Sequence, residues 1–108
     1  MKIGIVGLGI VGTANYAGFE LLKHEVLGHD IKFNTTIKDV INTDIVFVCV
    51  PTPSFENGSC DTTIVKSVID DLNKSEYEGI IAIRSSTVPG FTKSMQELYP
   101  KQKICFVP

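Results

Sequence analysis

The chain has 108 residues, 44% of them hydrophobic and 20% charged, and a net charge of −2. That length suits one domain, residues 1–108, able to bury roughly 65% of its unfolded surface. Ten Lys and Arg against twelve Asp and Glu gather no basic face, which argues against nucleic acid as a partner, and no apolar run is long enough to span a membrane.

Lys2–Val6 (KIGIV) is a short apolar, β-branched run and reads as a buried strand. Residues 7–12, GLGIVG, follow at once and open a segment to about Lys23 with apolar residues at helical spacing, namely Ala14, Ala17, Phe19, Leu21 and Leu22. Glu25–His29 reads as a second strand. Thr36–Asn42 reads as a short helix, with Thr35 or Thr36 as its cap. Asp44–Val50 (DIVFVCV) is the clearest strand in the chain. Thr62–Asn73 places Ile64, Val65, Val68, Ile69 and Leu72 on one helical face, with Asp61 as N-cap. Gly79–Ile83 reads as a strand, Phe91–Tyr99 as a helix and Lys103–Val107 as the last strand.

Continuous apolar strands alternating with helices imply an α/β fold with a parallel sheet covered on both faces. Right-handed crossovers make it doubly wound. Only about fifteen residues separate the second strand from the third, too few for the extra strand of a six-stranded dinucleotide fold, so a mainly parallel five-stranded sheet in the order 2-1-3-4-5 is expected. Ligands of such sheets bind outside the carboxyl ends of the strands, where the order reverses.

The glycine loop sits at that edge. Gly7 permits a tight turn, Gly9 lets the backbone approach a pyrophosphate, and Gly12 lets the helix pack on the sheet. Asp30 ends the second strand, where a carboxylate can accept from the adenine ribose hydroxyls. A carboxylate there repels a 2′-phosphate and only Lys32 lies near to offset it, so NAD is favoured over NADP. The third and fourth strands end in VCVPTP (48–53) and RSSTVPGF (84–91), each with Thr and Pro. Proline has no N–H and turns the chain out of the sheet. Thr52 and Thr87 read as crevice residues, whereas Ser85 reads as a cap or turn hydroxyl.

Cys49, Cys60 and Cys105 form no CxxC pair and no metal-ligand spacing with His24 or His29, so no metal is expected and a reducing cytoplasm is the expected compartment. Met1-Lys2 runs straight into a patterned segment, so no signal peptide is expected. Cys49 and Cys105 read as core thiols within strands, Cys60 as a loop residue, His29 as structural and His24 as a solvated helix end.

KIGIVGLGIVG, DIVFVCVPTP, the NGSCD segment before a helix, and RSSTVPGF together resemble the UDP-glucose/GDP-mannose dehydrogenase family, over nearly the whole chain. The resemblance implies a Rossmann-like NAD-binding domain of an enzyme that oxidises the C6 alcohol of a UDP- or GDP-sugar to the uronate, as UDP-glucose 6-dehydrogenases do. Two hydrides pass to NAD, through a thiohemiacetal and a thioester on a cysteine. It implies cofactor contacts from Gly7, Gly9, Ile10, Val11, Gly12, Asp30, Lys32, Val50, Pro51, Thr52 and Thr87, with Thr87 also orienting a catalytic water. Thr35 stands where the family commonly has a lysine beyond the ribose-binding acid. The nucleotide sugar is expected to need a second domain, carrying the family's Gly-Gly-x-Cys-Phe-Pro-Lys-Asp motif, which the 108 residues lack. They are therefore expected to be inactive alone, the full-length protein being a homodimer. Two alternatives stay open: a stand-alone NAD-binding module without chemistry, and the cofactor domain of a β-hydroxyacid dehydrogenase.

Overall fold

The computed structural model describes residues 1–7, 10–22, 24–29, 37–50, 62–85 and 90–107, without the side chains of residues 10–15 and 39. Strands β1 (Lys2–Val6), β2 (Glu25–His29), β3 (Ile45–Val48), β4 (Ile80–Ile83) and β5 (Lys103–Phe106) alternate with helices α1 (Ile10–Leu21), α2 (Thr63–Lys74) and α3 (Phe91–Leu98). They form one parallel sheet in the order β2-β1-β3-β4-β5, the α/β arrangement expected from the alternating periods. Register runs straight across the centre, with Ile5 opposite Phe47 and Phe47 opposite Ala82.

The two faces of the sheet bury different clusters. Val6, Val46, Val48, Ile81 and Ile83 meet Val65, Ile69 and Leu72 of α2 and Phe91 and Met95 of α3. Ile3, Ile5, Val26, Phe47 and Ala82 form the opposite face, against Tyr16 and Phe19 of α1. Strands buried on both faces carry no alternation of apolar and polar residues, hence the unbroken runs of β3 and β4.

Several local expectations are corrected. Leu21 and Leu22 are 83% and 69% exposed rather than packed. At 3.6 residues per turn, Leu21 points about 200° away from Phe19, which faces the sheet. Ile64 is likewise 41% exposed, one position off the buried stripe of Val65, Ile69 and Leu72. The helix expected over 36–42 is only a 3₁₀ turn, Ile37–Asp39, followed by Val40, whose carbonyl accepts from Thr43 Oγ1 at 2.6 Å. Thr62 occupies the N-cap of α2 without a side-chain cap bond, and Asp61 lies outside the described residues. Cys105 is exposed rather than a core thiol, because β5 is the edge strand and only Ile104 among its residues packs into the α2–α3 core. His24 is half-buried with its ring edge-on to Phe19, not a solvated end.

Among the described residues no helix is long and apolar enough to cross a membrane, and no three His, Cys, Asp or Glu are grouped to hold a metal ion.

Candidate functional site

Three strand ends meet at the carboxyl edge, where the sheet order reverses between β1 and β3. Gly7 closes β1 there. Its N–H donates to His29 O at 2.8 Å, tying the exit of β1 to the end of β2. Its φ is +94°, and a Cβ on it would lie 2.7 Å from the carbonyl carbon of Cys49 and 2.8 Å from Val50 N. The main chain leaving β3 thus closes on Gly7, and no other residue type fits without moving it. α1 begins at Ile10, so Ile10, Val11 and Gly12 form its first turn and the unpaired N–H groups of that turn lie at this edge.

β3 ends earlier than its apolar run suggests. Cys49 N still donates to Val6 O at 2.8 Å, and the exit of β4 bonds the Val48 and Val50 carbonyls. Arg84 N and Ser85 N lie 2.9 and 3.1 Å from Val48 O. Ser85 Oγ lies 2.7 Å from Val50 O and 3.2 Å from Val48 O, and donates its one proton to the nearer. Ser85 is buried, so its hydroxyl pins two strand exits together and holds no ligand. Val50 is buried beside it. Gly9, Asp30, Lys32, Pro51, Thr52, Thr87 and Cys60 lie outside the described residues.

One residue at this edge escaped the sequence reading. Arg84 leaves β4 half-buried, and its Nε is enclosed with no hydrogen-bond partner among the described residues. The signal was available: IIAIR puts a cation directly after a buried strand, at the edge where ligands bind.

Burial pushes the Cys49 thiol up to about 11, the nearby Arg84 charge offsetting part of that rise. Thiolate is the reactive form. Iodoacetamide at pH 8, with peptide mapping by mass spectrometry, is therefore expected to label exposed Cys105 fast and Cys49 at least about a hundredfold more slowly. Cys49 labelling should climb about tenfold per pH unit and level off only near pH 11, and equal rates for the two thiols at pH 8 would contradict the burial argument.

A cavity of 440 Å³ lined by Ile41, Asn42, Thr43, Ser75, Glu76 and Glu78 lies at the opposite, amino-terminal edge, away from these exits.

With this geometry in view, comparison with known proteins is informative. Residues 30–104 match the model of the UDP-glucose/GDP-mannose dehydrogenase family, NAD binding domain. A UDP-glucose 6-dehydrogenase of Rickettsia prowazekii is 34% identical over 71 residues, covering 65% of this chain and 16% of that protein. A UDP-glucose 6-dehydrogenase of Haloferax volcanii is 25% identical over 128 residues, covering 85% of this chain and 30% of its own length. The structure of a UDP-glucose dehydrogenase from Pyrobaculum islandicum superposes with a TM-score of 0.80 at 20% identity, over 97% of this chain and 34% of that one. The chain thus spans about a third or less of these relatives.

Proposed function

The chain belongs to the UDP-glucose/GDP-mannose dehydrogenase family through its NAD-binding domain, and on that premise we propose that it is the cofactor half of a nucleotide-sugar dehydrogenase that oxidises the C6 alcohol of a UDP- or GDP-sugar. The match over residues 30–104 carries the proposal, because it takes in Asp30, the β3 exit with Thr52 and the β4 exit with Thr87. The Gly7 turn supports it: a glycine at φ +94°, packed under the β3 exit, makes the tight turn after β1 that such a cofactor loop needs.

NAD, when bound, supplies the hydride acceptor. The chain's own residues bind and orient it. The Gly7–Gly12 loop lets the pyrophosphate reach the first turn of α1. Asp30 accepts from the adenine ribose hydroxyls and repels a 2′-phosphate, with Lys32 beside it. By the family's pattern Val50, Pro51 and Thr52 would contact the cofactor, and Thr87 would contact its nicotinamide end and orient a water. The sugar nucleotide is held by a second domain, and the full-length protein is a homodimer.

Titration calorimetry with NAD and NADP is the test. Wild type is expected to prefer NAD by at least about tenfold, or ~1.4 kcal/mol, and Asp30→Ala to erase most of the preference. Equal affinities in the wild type would defeat the role of Asp30.

A further inference from the structure

Arg84 is a cation at the carboxyl edge with an unsatisfied donor. It follows Ala82 by two residues, and Arg84 N keeps the strand ladder going at 2.9 Å from Val48 O. Its side chain therefore leaves the sheet on the same face as Ala82 and Phe47, the face that α1 covers. Continuing the β3–β4 register, Cys49 is its neighbour on that face, and the Arg84 charge is near enough to reach the thiol. β1 and β4 are two strand spacings apart in the order β2-β1-β3-β4-β5, about 10 Å, within the combined reach of an arginine and a diphosphate.

An enclosed, charged N–H without an acceptor is unfavourable, because the group has lost its water and gained no partner. Arg84 Nε is in that state, while the residue as a whole is only half-buried. Turning the side chain outward frees Nε to join a terminal nitrogen in a two-pronged contact with phosphate oxygens, the geometry guanidinium favours. Ligand binding then removes an unsatisfied donor as well as forming a charged bond.

We propose that Arg84 is a phosphate-binding residue of this crevice, donating to a diphosphate oxygen of the bound dinucleotide. This rests on the cofactor assignment above. It makes the β4 exit a second anchor for the diphosphate, opposite the first turn of α1, and gives a function to a residue outside the glycine loop.

The test compares NAD, ADP-ribose and UDP-glucose by titration calorimetry on wild type, Arg84→Gln and Arg84→Lys, with melting temperatures to confirm folding. Arg84→Gln is expected to weaken NAD and ADP-ribose alike by about tenfold or more, the scale of one hydrogen bond to a charged group. Arg84→Lys keeps the charge but not the fork and should recover part of the loss. Should Arg84→Gln not fold, a weakening of both ligands by Arg84→Lys carries the same support, and unchanged affinity overturns it. Wild-type binding of NAD with unchanged affinity in folded Arg84→Gln overturns the Arg84 assignment alone. Loss confined to UDP-glucose also overturns it, since the diphosphate contacted would be the sugar nucleotide's. No NAD binding by wild type overturns the cofactor assignment itself, and the Arg84 role with it.

Discussion

Gly7→Ala is expected to be a severely damaging single-methyl change. Two costs combine. The residue has a φ of +94°, which an L side chain rarely adopts, at about 1–3 kcal/mol. The new Cβ would also lie 2.7–2.8 Å from the main chain of Cys49 and Val50, and backbone cannot rotate away as a side chain can. Overpacking of that kind adds about 1–3 kcal/mol. A total near 3 kcal/mol corresponds to a fall of roughly 10–20 °C in melting temperature for a domain of this size. The displaced β3 exit also lines the crevice, so NAD affinity should fall by at least about tenfold in whatever fraction stays folded. Gly18→Ala is the control. It lies within α1 with nothing within 4 Å of its added Cβ, and alanine's better helix propensity should stabilise by about 0.5–1 kcal/mol. Thermal melts of both variants decide it: a Gly7→Ala melt within a few degrees of wild type would show that the β3 exit yields easily and that the cradle is not rigid.

The order of the sheet was legible because it depends on features that sequence displays directly: unbroken apolar runs for β3 and β4, helical spacing in between, and a segment between β2 and β3 too short for another strand. Gly7 was legible for the same reason, since a glycine directly after a strand and before a helix has few other causes. What escaped depends on neighbours distant in the chain. Leu21 and Leu22 count toward an apolar pattern, but only the orientation of Phe19 against Phe47, 5.0 Å between ring centroids, decides which way they point. The exit of β3 is held by a hydroxyl on Ser85, 35 residues from the Val50 carbonyl it binds. Cys105 sits in an apolar run that reads as core, and its exposure follows from β5 being the edge, which is a property of topology and not of the run. Arg84 stands in RSSTVPGF with no spacing or motif that sets it apart from any other cation. Its enclosed Nε distinguishes it.

The 108 residues by themselves are expected to produce no NADH from a sugar nucleotide, even when NAD is bound. Oxidation to the carboxylate in this family's manner needs a thiolate at the reacting carbon and a base for the alcohol proton. Cys49 is at the right edge, but burial pushes its thiol up to about 11, which leaves roughly one molecule in ten thousand ionised at pH 7. It also faces Phe47 and Ala82 in the α1-side cluster rather than a substrate. Cys105 is exposed but sits on the outermost strand with Ala82 as its register partner, two strands from the β1–β3 switch point. Among the described residues, a half-buried, protonated thiol and a remote one make no nucleophile at the crevice. The measurement is NADH absorbance with UDP-glucose and GDP-mannose over hours, alongside calorimetry showing that NAD binds. Turnover above the protein-free background would sink the claim, and its loss in Cys60→Ser would identify Cys60 as the nucleophile. Binding without turnover is the outcome the proposed function calls for: on that proposal these residues hold the hydride acceptor, and the thiolate, the base and the selectivity for one sugar come from elsewhere in the full-length enzyme.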